Sequence, residues 1–379
     1  MQRPPLKILI CYLGRRGGPP LFSIEMAKAL KDKGAMVSAI VSAHVENLDQ
    51  WQNLGLQKLN IINTFGSSFD FIVKSVSVYI IGFRRTVGDI YIDKYDLIYI
   101  PMTHPWVHFV LKYFPGIRVL FTIHDPVPHD TSGILGHWYD RWLARRCSDI
   151  AILSKAFLQI AEKRFGKGPD KIHVIPHGPF SKYIDAIPEN SATIYSERTV
   201  NFVFFGRFCK YKGLKILAKA YKIVKQINSN ISLTVVGSGN FKLYEKDFRG
   251  LKDLRVINRW IPNGEVGKYF IGSNVVVVLP YTNASQSGVI PIALDAGAIV
   301  IASRIGGIPE QIRDGKTGFL CHPGDVSDLA RVMNQVAQNN CFMNELRSCA
   351  KQEMSLHSWS NAADKIISYV SGTGDVSNG

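Results

Sequence analysis

The stretch from Ser285 to Glu310 reads SQSGVIPIALDAGAIVIASRIGGIPE. It begins with small polar residues, continues with helical spacing near 289–297, and becomes the apolar run AIVIAS before a turn with two glycines. A helix followed by a fully apolar strand is typical of a parallel sheet covered on both faces. An ordinary buried βαβ unit needs no such string of small residues. We therefore expect these turns to let a ligand approach the backbone closely.

The order of strand, glycine turn and helix recurs along most of the chain. LKILICYL (6–13) and VNFVFFGRF (200–208) begin two such series, and residues 181–198 between them lose the pattern. Alternating strands and helices predict parallel sheets with right-handed crossovers. The expected fold class is therefore α/β, with two Rossmann-like, doubly wound domains facing a cleft.

The domain boundaries follow from this pattern. A chain of 379 residues is long for a single core and favours two domains. We predict a first domain over 1–180, a linker over 181–198 and a second domain over 199–357. Residues 358–379 are predicted to form a helix that crosses back to the first domain, followed by a tail.

Composition indicates a globular protein of the cytoplasm. The chain is 46% hydrophobic and 20% charged, and its N-terminal apolar run is short and leads into a strand, unlike a signal peptide. No apolar run reaches the roughly 18–20 residues of a membrane span. Six scattered cysteines without CxxC spacing favour buried, reduced thiols. They are Cys11, Cys147, Cys209, Cys321, Cys341 and Cys349.

The net charge of +15 divides almost evenly, with +7 over residues 1–198 and +8 over residues 199–379. Such a basic protein attracts phosphorylated ligands, anionic membranes and nucleic acid alike. A nucleic-acid-binding protein is expected to concentrate its cations in one stripe with stacking aromatics. The even distribution argues against nucleic acid as a partner.

In open α/β sheets, ligands bind beyond the carboxyl ends of the strands. Arg207 and Lys212 follow such a strand in FFGRFCKYKG, where two cations suit a diphosphate; the alternative is two solvated surface cations. Ser287, Gly288 and Val289 stand at a helix start, where free backbone N–H groups bind anions; the alternative is a plain N-cap.

Weaker signals complete the set of candidate residues. Asp295 lies further along the same helix and suits a ribose hydroxyl, or is a half-buried helix residue. Gly237 begins GSG after a strand, but the third glycine of a dinucleotide fingerprint is absent. Gly17 and Gly18 form a turn near a phosphate or sugar, or a simple turn. His124 follows a strand and suits a substrate hydroxyl, or is a core histidine.

These residues together resemble the GT-B fold retaining glycosyltransferases of family 4, the glycogen synthase-like group 1 glycosyl transferases. The resemblance covers most of the chain and rests on GGPPLFSIEMAKALKDKGAMVSAIV, KIHVIPHG, FFGRFCKYKGL, LTVVGSGN and IASRIGGIPEQIRDGKTGFLCHPGD, in the expected order. The family usually carries two Glu where this chain has Ser287 and Asp295. Asp295 still suits a ribose hydroxyl, whereas Ser287 supplies no carboxylate to the donor sugar.

The resemblance implies transfer of a hexosyl group, with retention, from a nucleotide-sugar donor to a glycan or lipid-linked glycan acceptor in cell-surface polysaccharide or lipopolysaccharide biosynthesis. It implies that the second domain binds the donor and the first binds the acceptor. Arg207 and Lys212 neutralise the leaving diphosphate, and His124 contacts the donor sugar. Gly17, Gly18, Gly237, Ser287, Gly288, Val289 and Asp295 are the other implied donor-binding residues.

No metal and no other cofactor are expected. The sequence lacks D-x-D and zinc-ligand spacing, and the two cations supply the charge that a metal would bring. Two alternatives stay open: a nucleotide-sugar epimerase on the same fold, which needs no acceptor, and a non-catalytic basic binding protein.

Residues 69–85, FDFIVKSVSVYIIGFRR, form an apolar run interrupted by Lys74 and closed by Arg84 and Arg85. They are interpreted either as a helix packed on its sheet or as an apolar surface with a basic edge, lying on an anionic membrane. The second interpretation adds peripheral attachment at the inner face of the membrane to the cytoplasmic prediction.

Overall fold

A computed structural model describes residues 4–81, 88–127, 134–180, 195, 199–338, 340–356 and 358–372. It divides into two compact units. The first is Met1–His177 with Ser358–Gly379, and the second is Gly178–His357. Apart from Tyr195, the predicted linker lies outside the described residues.

The first unit contains one parallel sheet of seven strands in the order β3-β2-β1-β4-β5-β6-β7. The strands are β1 (Lys7–Tyr12), β2 (Met36–Ser42), β3 (Leu59–Ile62), β4 (Leu97–Ile100), β5 (Arg118–Ile123), β6 (Asp149–Ile152) and β7 (Ile172–Val174). The central strand β1 is buried along all but its first residue, because helices cover both faces of the sheet.

Among the described residues, six helices connect these strands. They are α1 (Gly18–Asp32), α2 (Leu48–Gln52), α3 (Ser68–Ile81), α4 (Val107–Leu111), α5 (Ile134–Arg146) and α6 (Leu158–Phe165). The steps from β3 to β4, β4 to β5 and β5 to β6 progress in one direction across the sheet. Right-handed crossovers therefore place α3, α4 and α5 on the same face, opposite α1 and α2.

The second unit has a parallel sheet of six strands in the order β10-β9-β8-β11-β12-β13. The strands are β8 (Val200–Phe205), β9 (Ile231–Gly237), β10 (Leu254–Asn258), β11 (Val275–Leu279), β12 (Ile299–Ser303) and β13 (Phe319–Cys321). The helices are α7 (Leu214–Ile227), α8 (Glu245–Phe248), α9 (Asn263–Val266), α10 (Val289–Asp295), α11 (Ile308–Gln311), α12 (Val326–Gln338) and α13 (Asn340–Leu356). The two sheets confirm the predicted pair of Rossmann-like α/β folds.

The last helix, α14 (Trp359–Ser371), belongs to the first unit and packs against α1. The Trp359 ring meets Phe22 edge-to-face at 5.2 Å between centroids. At the other end of the helix, the Tyr369 hydroxyl bonds to the buried carboxylate of Asp149, and the Arg118 guanidinium lies 4.2 Å from the Tyr369 ring centroid. The C-terminal segment is thus fixed to the first sheet by both apolar and polar contacts.

The described cysteines are free thiols, and three of them are buried. Burial raises the pKa of Cys11 and of Cys147 to about 12 and that of Cys321 to about 11, so these thiols stay protonated at neutral pH. No helix of the described residues is long and apolar enough to cross a bilayer.

Candidate active site

The loops after β8 and β9 approach each other through their backbones. Gly237 has a positive φ of 150°, and a Cβ atom on it would lie 1.8 Å from the Gly206 carbonyl oxygen. The Phe208 N–H donates to the Ser238 carbonyl at 2.8 Å, which holds the loop that carries Arg207. Arg207 is exposed. Gly237 therefore shapes the site by allowing this close backbone contact.

Lys212 is placed against two tyrosine rings. It ends a short 3-10 turn, and the following Gly213 (φ 73°) lies so near the loop after β11 that a Cβ atom would meet the Pro280 carbonyl at 1.8 Å. The Lys212 ammonium lies 3.6 Å from the ring centroid of Tyr281 and 5.1 Å from that of Tyr211. This is cation–π geometry, which fixes the direction of a flexible side chain.

Arg207 and Lys212 both act on Tyr211. Burial raises the pKa of the Tyr211 hydroxyl, while the positive charges of Lys212 and Arg207 and a hydrogen bond from Arg207 oppose that rise. Arg207 and Lys212 therefore both lie near Tyr211, beyond the carboxyl end of β8, where two cations suit an anion.

Ser287 is buried, and its N–H, its carbonyl and its hydroxyl all have hydrogen-bond partners. Its N–H donates to Gln311 Oε1 at 3.0 Å, and its carbonyl accepts from Gln311 Nε2 at 3.1 Å. Its Oγ accepts from the Val289 N–H at 3.3 Å and lies 3.3 Å from the Tyr281 hydroxyl. The Ser287 hydroxyl thus accepts from the first N–H of α10, while the N–H of Ser287 itself is occupied by Gln311.

The other predicted residues of α10 lie at its two ends. Gly288 is exposed and precedes Val289, the first helical residue. Asp295 is the last residue of the helix and is half-buried. The structure therefore brings Lys212 and Ser287 together through Tyr281, while Asp295 stands one helix length away along the chain.

The sequence analysis missed Tyr281 and Gln311. Tyr281 stands two residues beyond the apolar run VVVVL, a position where loop residues of an α/β sheet meet ligands. Gln311 directly follows the stretch that ends at Glu310, and no sequence signal indicates its two bonds to Ser287.

In the first unit, Gly17 and Gly18 join β1 to α1. Gly17 has a φ of 96°, and its N–H donates to Glu46 Oε1 at 3.1 Å. Arg15, in the same loop, donates to the carbonyls of Phe65 at 3.0 Å and Gly66 at 2.8 Å. Gly18 is exposed and has open space where a side chain would lie. The turn is held from both sides, and Glu46 is a further residue that sequence reasoning did not indicate.

His124 follows β5 and is held as a neutral ring. Its Nε2 lies 2.9 Å from the Pro101 carbonyl, which only accepts, so Nε2 carries the proton and Nδ1 is an acceptor. Burial lowers the pKa of His124, although the Pro101 carbonyl and Asp125 oppose this. The ring also packs edge-on against Phe22 at 4.7 Å. His124 is therefore suited to accept a hydrogen bond from a hydroxyl.

Within the described ranges, no three His, Cys, Asp or Glu side chains gather as the ligands of a metal ion.

Two family models match the chain. The model described as Glycosyltransferase Family 4 matches residues 16–178, and the one described as Glycosyl transferases group 1 matches residues 199–339. An uncharacterized glycosyltransferase of Methanocaldococcus jannaschii is 25% identical over 305 residues, which are 75% of this chain and 77% of the relative.

Solved structures share the fold. HepE of Anabaena in complex with UDP has a TM-score of 0.71 and 18% identity, with 97% of this chain and 100% of that chain covered. WaaG, a glycosyltransferase involved in lipopolysaccharide biosynthesis, has a TM-score of 0.63 and 14% identity, with 96% and 100% covered. At identities this low, the two structures support a shared fold and nothing further.

Proposed function

Because the chain belongs to the GT-B glycosyltransferases, we propose that it moves a hexosyl group from a nucleotide sugar to a glycan or lipid-linked glycan. The observation that supports this most is the placement of Arg207 and Lys212 about Tyr211, with Lys212 also on the Tyr281 ring. Two cations fixed at a strand end favour a diphosphate, and HepE was solved with UDP and with UDP-glucose.

In this proposal the bond between the anomeric carbon and the diphosphate oxygen breaks, a bond to the acceptor hydroxyl oxygen forms, and the proton of that hydroxyl passes to the released diphosphate. Lys212 and Arg207 stabilise the negative charge that grows on the diphosphate, the kind of preorganised electrostatics that lowers barriers most. His124 accepts a hydrogen bond from a donor-sugar hydroxyl through Nδ1. Retention of configuration and metal independence are carried over from the family resemblance and from the absent D-x-D.

The remaining donor residues have supporting roles. Gly288 and Val289 offer the start of α10 to the nucleotide, Asp295 binds a ribose hydroxyl, and Gly17 and Gly18 keep their turn open to the sugar. A membrane-surface or cell-envelope glycan is the proposed acceptor class, since WaaG is involved in lipopolysaccharide biosynthesis.

A thermal-shift series with UDP, GDP, ADP and their hexoses tests the donor site. A ligand at a concentration of about 100 times its Kd stabilises the folded protein by about 2.7 kcal/mol. For domains of this size, this corresponds to a Tm rise of about 5–10 °C. The nucleotide sugar that stabilises most is then incubated in EDTA with a glycan acceptor and without one. If a product forms only when the acceptor is present, the result supports glycosyl transfer. If the sugar is altered when no acceptor is present, the result indicates epimerisation. Absence of stabilisation by every nucleotide contradicts the proposal.

A further inference from the structure

Helix α5 carries two tryptophans and three arginines on one face. They are Trp138, Arg141, Trp142, Arg145 and Arg146, and they line a shallow pocket of about 180 Å³. Their spacing of i, i+3, i+4, i+7 and i+8 places them within one side of a helix with 3.6 residues per turn. We call these five residues the Trp/Arg face.

The Trp/Arg face is turned away from the core. Trp138 is 65% exposed and the three arginines are exposed, whereas Leu143 and Ala144 are completely buried. Asp140, the one acidic residue of α5, lies about 200° around the helix from Trp138 and thus on the opposite side. The face therefore presents only positive charge.

One of the two indole rings of this face, that of Trp142, is held in place. The Arg146 guanidinium lies 3.7 Å from the Trp142 ring centroid. The Trp142 ring also packs against Tyr139 at 5.5 Å and His108 at 5.7 Å between centroids. Trp142 is thus half-buried and links the face to α4, while Trp138 projects into solvent.

Helix α3 adds an apolar stripe. Phe69, Ile72, Val73 and Val76 recur at i, i+3, i+4 and i+7, and Phe69 is 78% exposed while the other three are more than half exposed. Its neighbour Phe71 packs into the core instead, and the Trp106 indole N–H donates to Ser75 Oγ at 2.9 Å. One side of the helix therefore packs against the first unit, and the other side exposes four large apolar residues.

The stripe and the Trp/Arg face belong to the same helical layer. Both helices lie on the side of the first sheet that also holds α4, and α4 contacts each of them. Trp106, just before α4, bonds to α3, and His108 of α4 packs on Trp142 of α5. A single flat partner on this side meets apolar and basic groups together.

We propose that this layer docks on an anionic lipid bilayer. Indole rings lie at the depth of lipid head groups, arginines pair with lipid phosphates, and aliphatic side chains enter the acyl boundary. Nucleic acid matches the arginines and the tryptophans but leaves Ile72, Val73 and Val76 in water. Of the two, a lipid surface uses all the groups, and it matches the net charge of +15.

This attachment does not depend on the proposed donor chemistry. It uses only described residues of α3 and α5; Arg84 and Arg85, which the sequence analysis assigned to the basic edge, lie outside the described residues.

Vesicle flotation without nucleotide tests the attachment. The protein is mixed with vesicles of phosphatidylcholine alone or of phosphatidylcholine and phosphatidylglycerol in equal amounts. We expect binding to the anionic vesicles only, weakened by salt because screening shortens the reach of the arginine charges. At roughly fivefold per basic residue, Trp138→Ser/Arg141→Glu/Arg145→Glu lowers the partition coefficient at least about thirtyfold.

Two further variants sharpen the test. Phe69→Ser/Ile72→Ser on α3 lowers binding in low and in high salt alike, since it removes apolar contact. The matched control Lys219→Glu/Lys222→Glu/Ile227→Ser changes the same charges and one exposed apolar residue on α7 of the second unit, and keeps wild-type binding. Circular dichroism verifies that each variant is folded.

Equal binding to neutral and anionic vesicles overturns the proposal, as does wild-type binding by both the α5 and the α3 variants. Single-stranded nucleic acid that binds through the Trp/Arg face, while anionic vesicles do not bind, also overturns it.

Discussion

The ammonium group of Lys212 lies 3.6 Å from the ring centroid of Tyr281, whose hydroxyl is 3.3 Å from Ser287 Oγ. One buried ring therefore connects the cation expected at the diphosphate to Ser287, whose hydroxyl accepts from the first N–H of α10. Gln311 completes the arrangement with two hydrogen bonds to the Ser287 backbone. The serine at position 287 thus holds the turn before α10 through its backbone and its hydroxyl.

Arg207→Ala and Lys212→Ala are each expected to lower turnover about tenfold to a thousandfold, because each removes a charge-assisted contact to the leaving group. Lys210→Ala is the matched control, since Lys210 is an exposed lysine of the same 3-10 turn. Steady-state rates with the identified donor measure the effect. Wild-type rates in both variants would place the diphosphate elsewhere.

Tyr281→Phe keeps the ring beneath Lys212 and loses only the bond to Ser287, whereas Tyr281→Leu loses both. We expect the donor KM of Tyr281→Phe to stay within about threefold of the wild-type value. The donor KM of Tyr281→Leu is expected to rise about fivefold to thirtyfold, which is the range of a partly desolvated cation–π contact. Equal defects in the two variants would show that the hydroxyl bond, rather than the ring, positions Lys212.

Gln311→Ala is expected to raise the donor KM about tenfold with little change in kcat, because it removes both hydrogen bonds to the Ser287 backbone and so releases the turn before α10. Gln311→Glu retains the acceptor for the Ser287 N–H but loses the donor to its carbonyl, so it recovers at most part of this loss. Gln335→Ala, on the exposed side of α12, is the control. A fall in kcat at unchanged KM would contradict a positioning role.

Gly237→Ala is expected to destabilise the protein by at least about 2 kcal/mol, because φ is 150° and a Cβ atom meets the Gly206 carbonyl. Gly264→Ala serves as control, since nothing lies within 4 Å of a Cβ atom at that position. Urea unfolding of the two variants gives the comparison. Similar midpoints would show that the loops after β8 and β9 separate easily.

The buried carboxylate of Asp149 predicts a pH dependence of stability. Burial raises its pKa, but hydrogen bonds from His173 and Tyr369 and the charge of Lys171 outweigh this and hold the pKa below its ordinary value. The unfolded chain therefore binds this proton more readily, so stability is present above about pH 4 and is lost as pH falls through the folded pKa.

Asp149→Asn is expected to lower the free energy of unfolding at neutral pH. It is also expected to make that free energy depend less on pH under acidic conditions. Urea titrations between about pH 6 and pH 3 measure both quantities. An acid limb identical to that of the wild type would assign the dependence to other carboxylates.

Much of the fold could be predicted because the decisive signals are local. The runs VNFVFF and VVVVL are apolar on both faces, which in water is stable only for strands covered by helices on each side. The same pattern indicated that Arg207, Lys212 and Ser287 follow strands and thus lie at the carboxyl edge of their sheet. The interpretation of 69–85 as either packed helix or apolar surface stayed open, because periodicity does not say which neighbours cover a helix.

The sequence by itself determined two parallel α/β sheets, their loop positions and the family of the chain. Only the tertiary structure decided that Tyr281 joins Lys212 to Ser287, that Gln311 holds Ser287 across 24 residues of chain, and that Tyr369 reaches Asp149 across 220. It also decided that α3 packs Phe71 against the core while exposing Phe69. The physical reason is that hydrophobic periodicity and turn residues act within a few residues, whereas hydrogen bonds and ring contacts depend on distances that arise only when distant segments pack together.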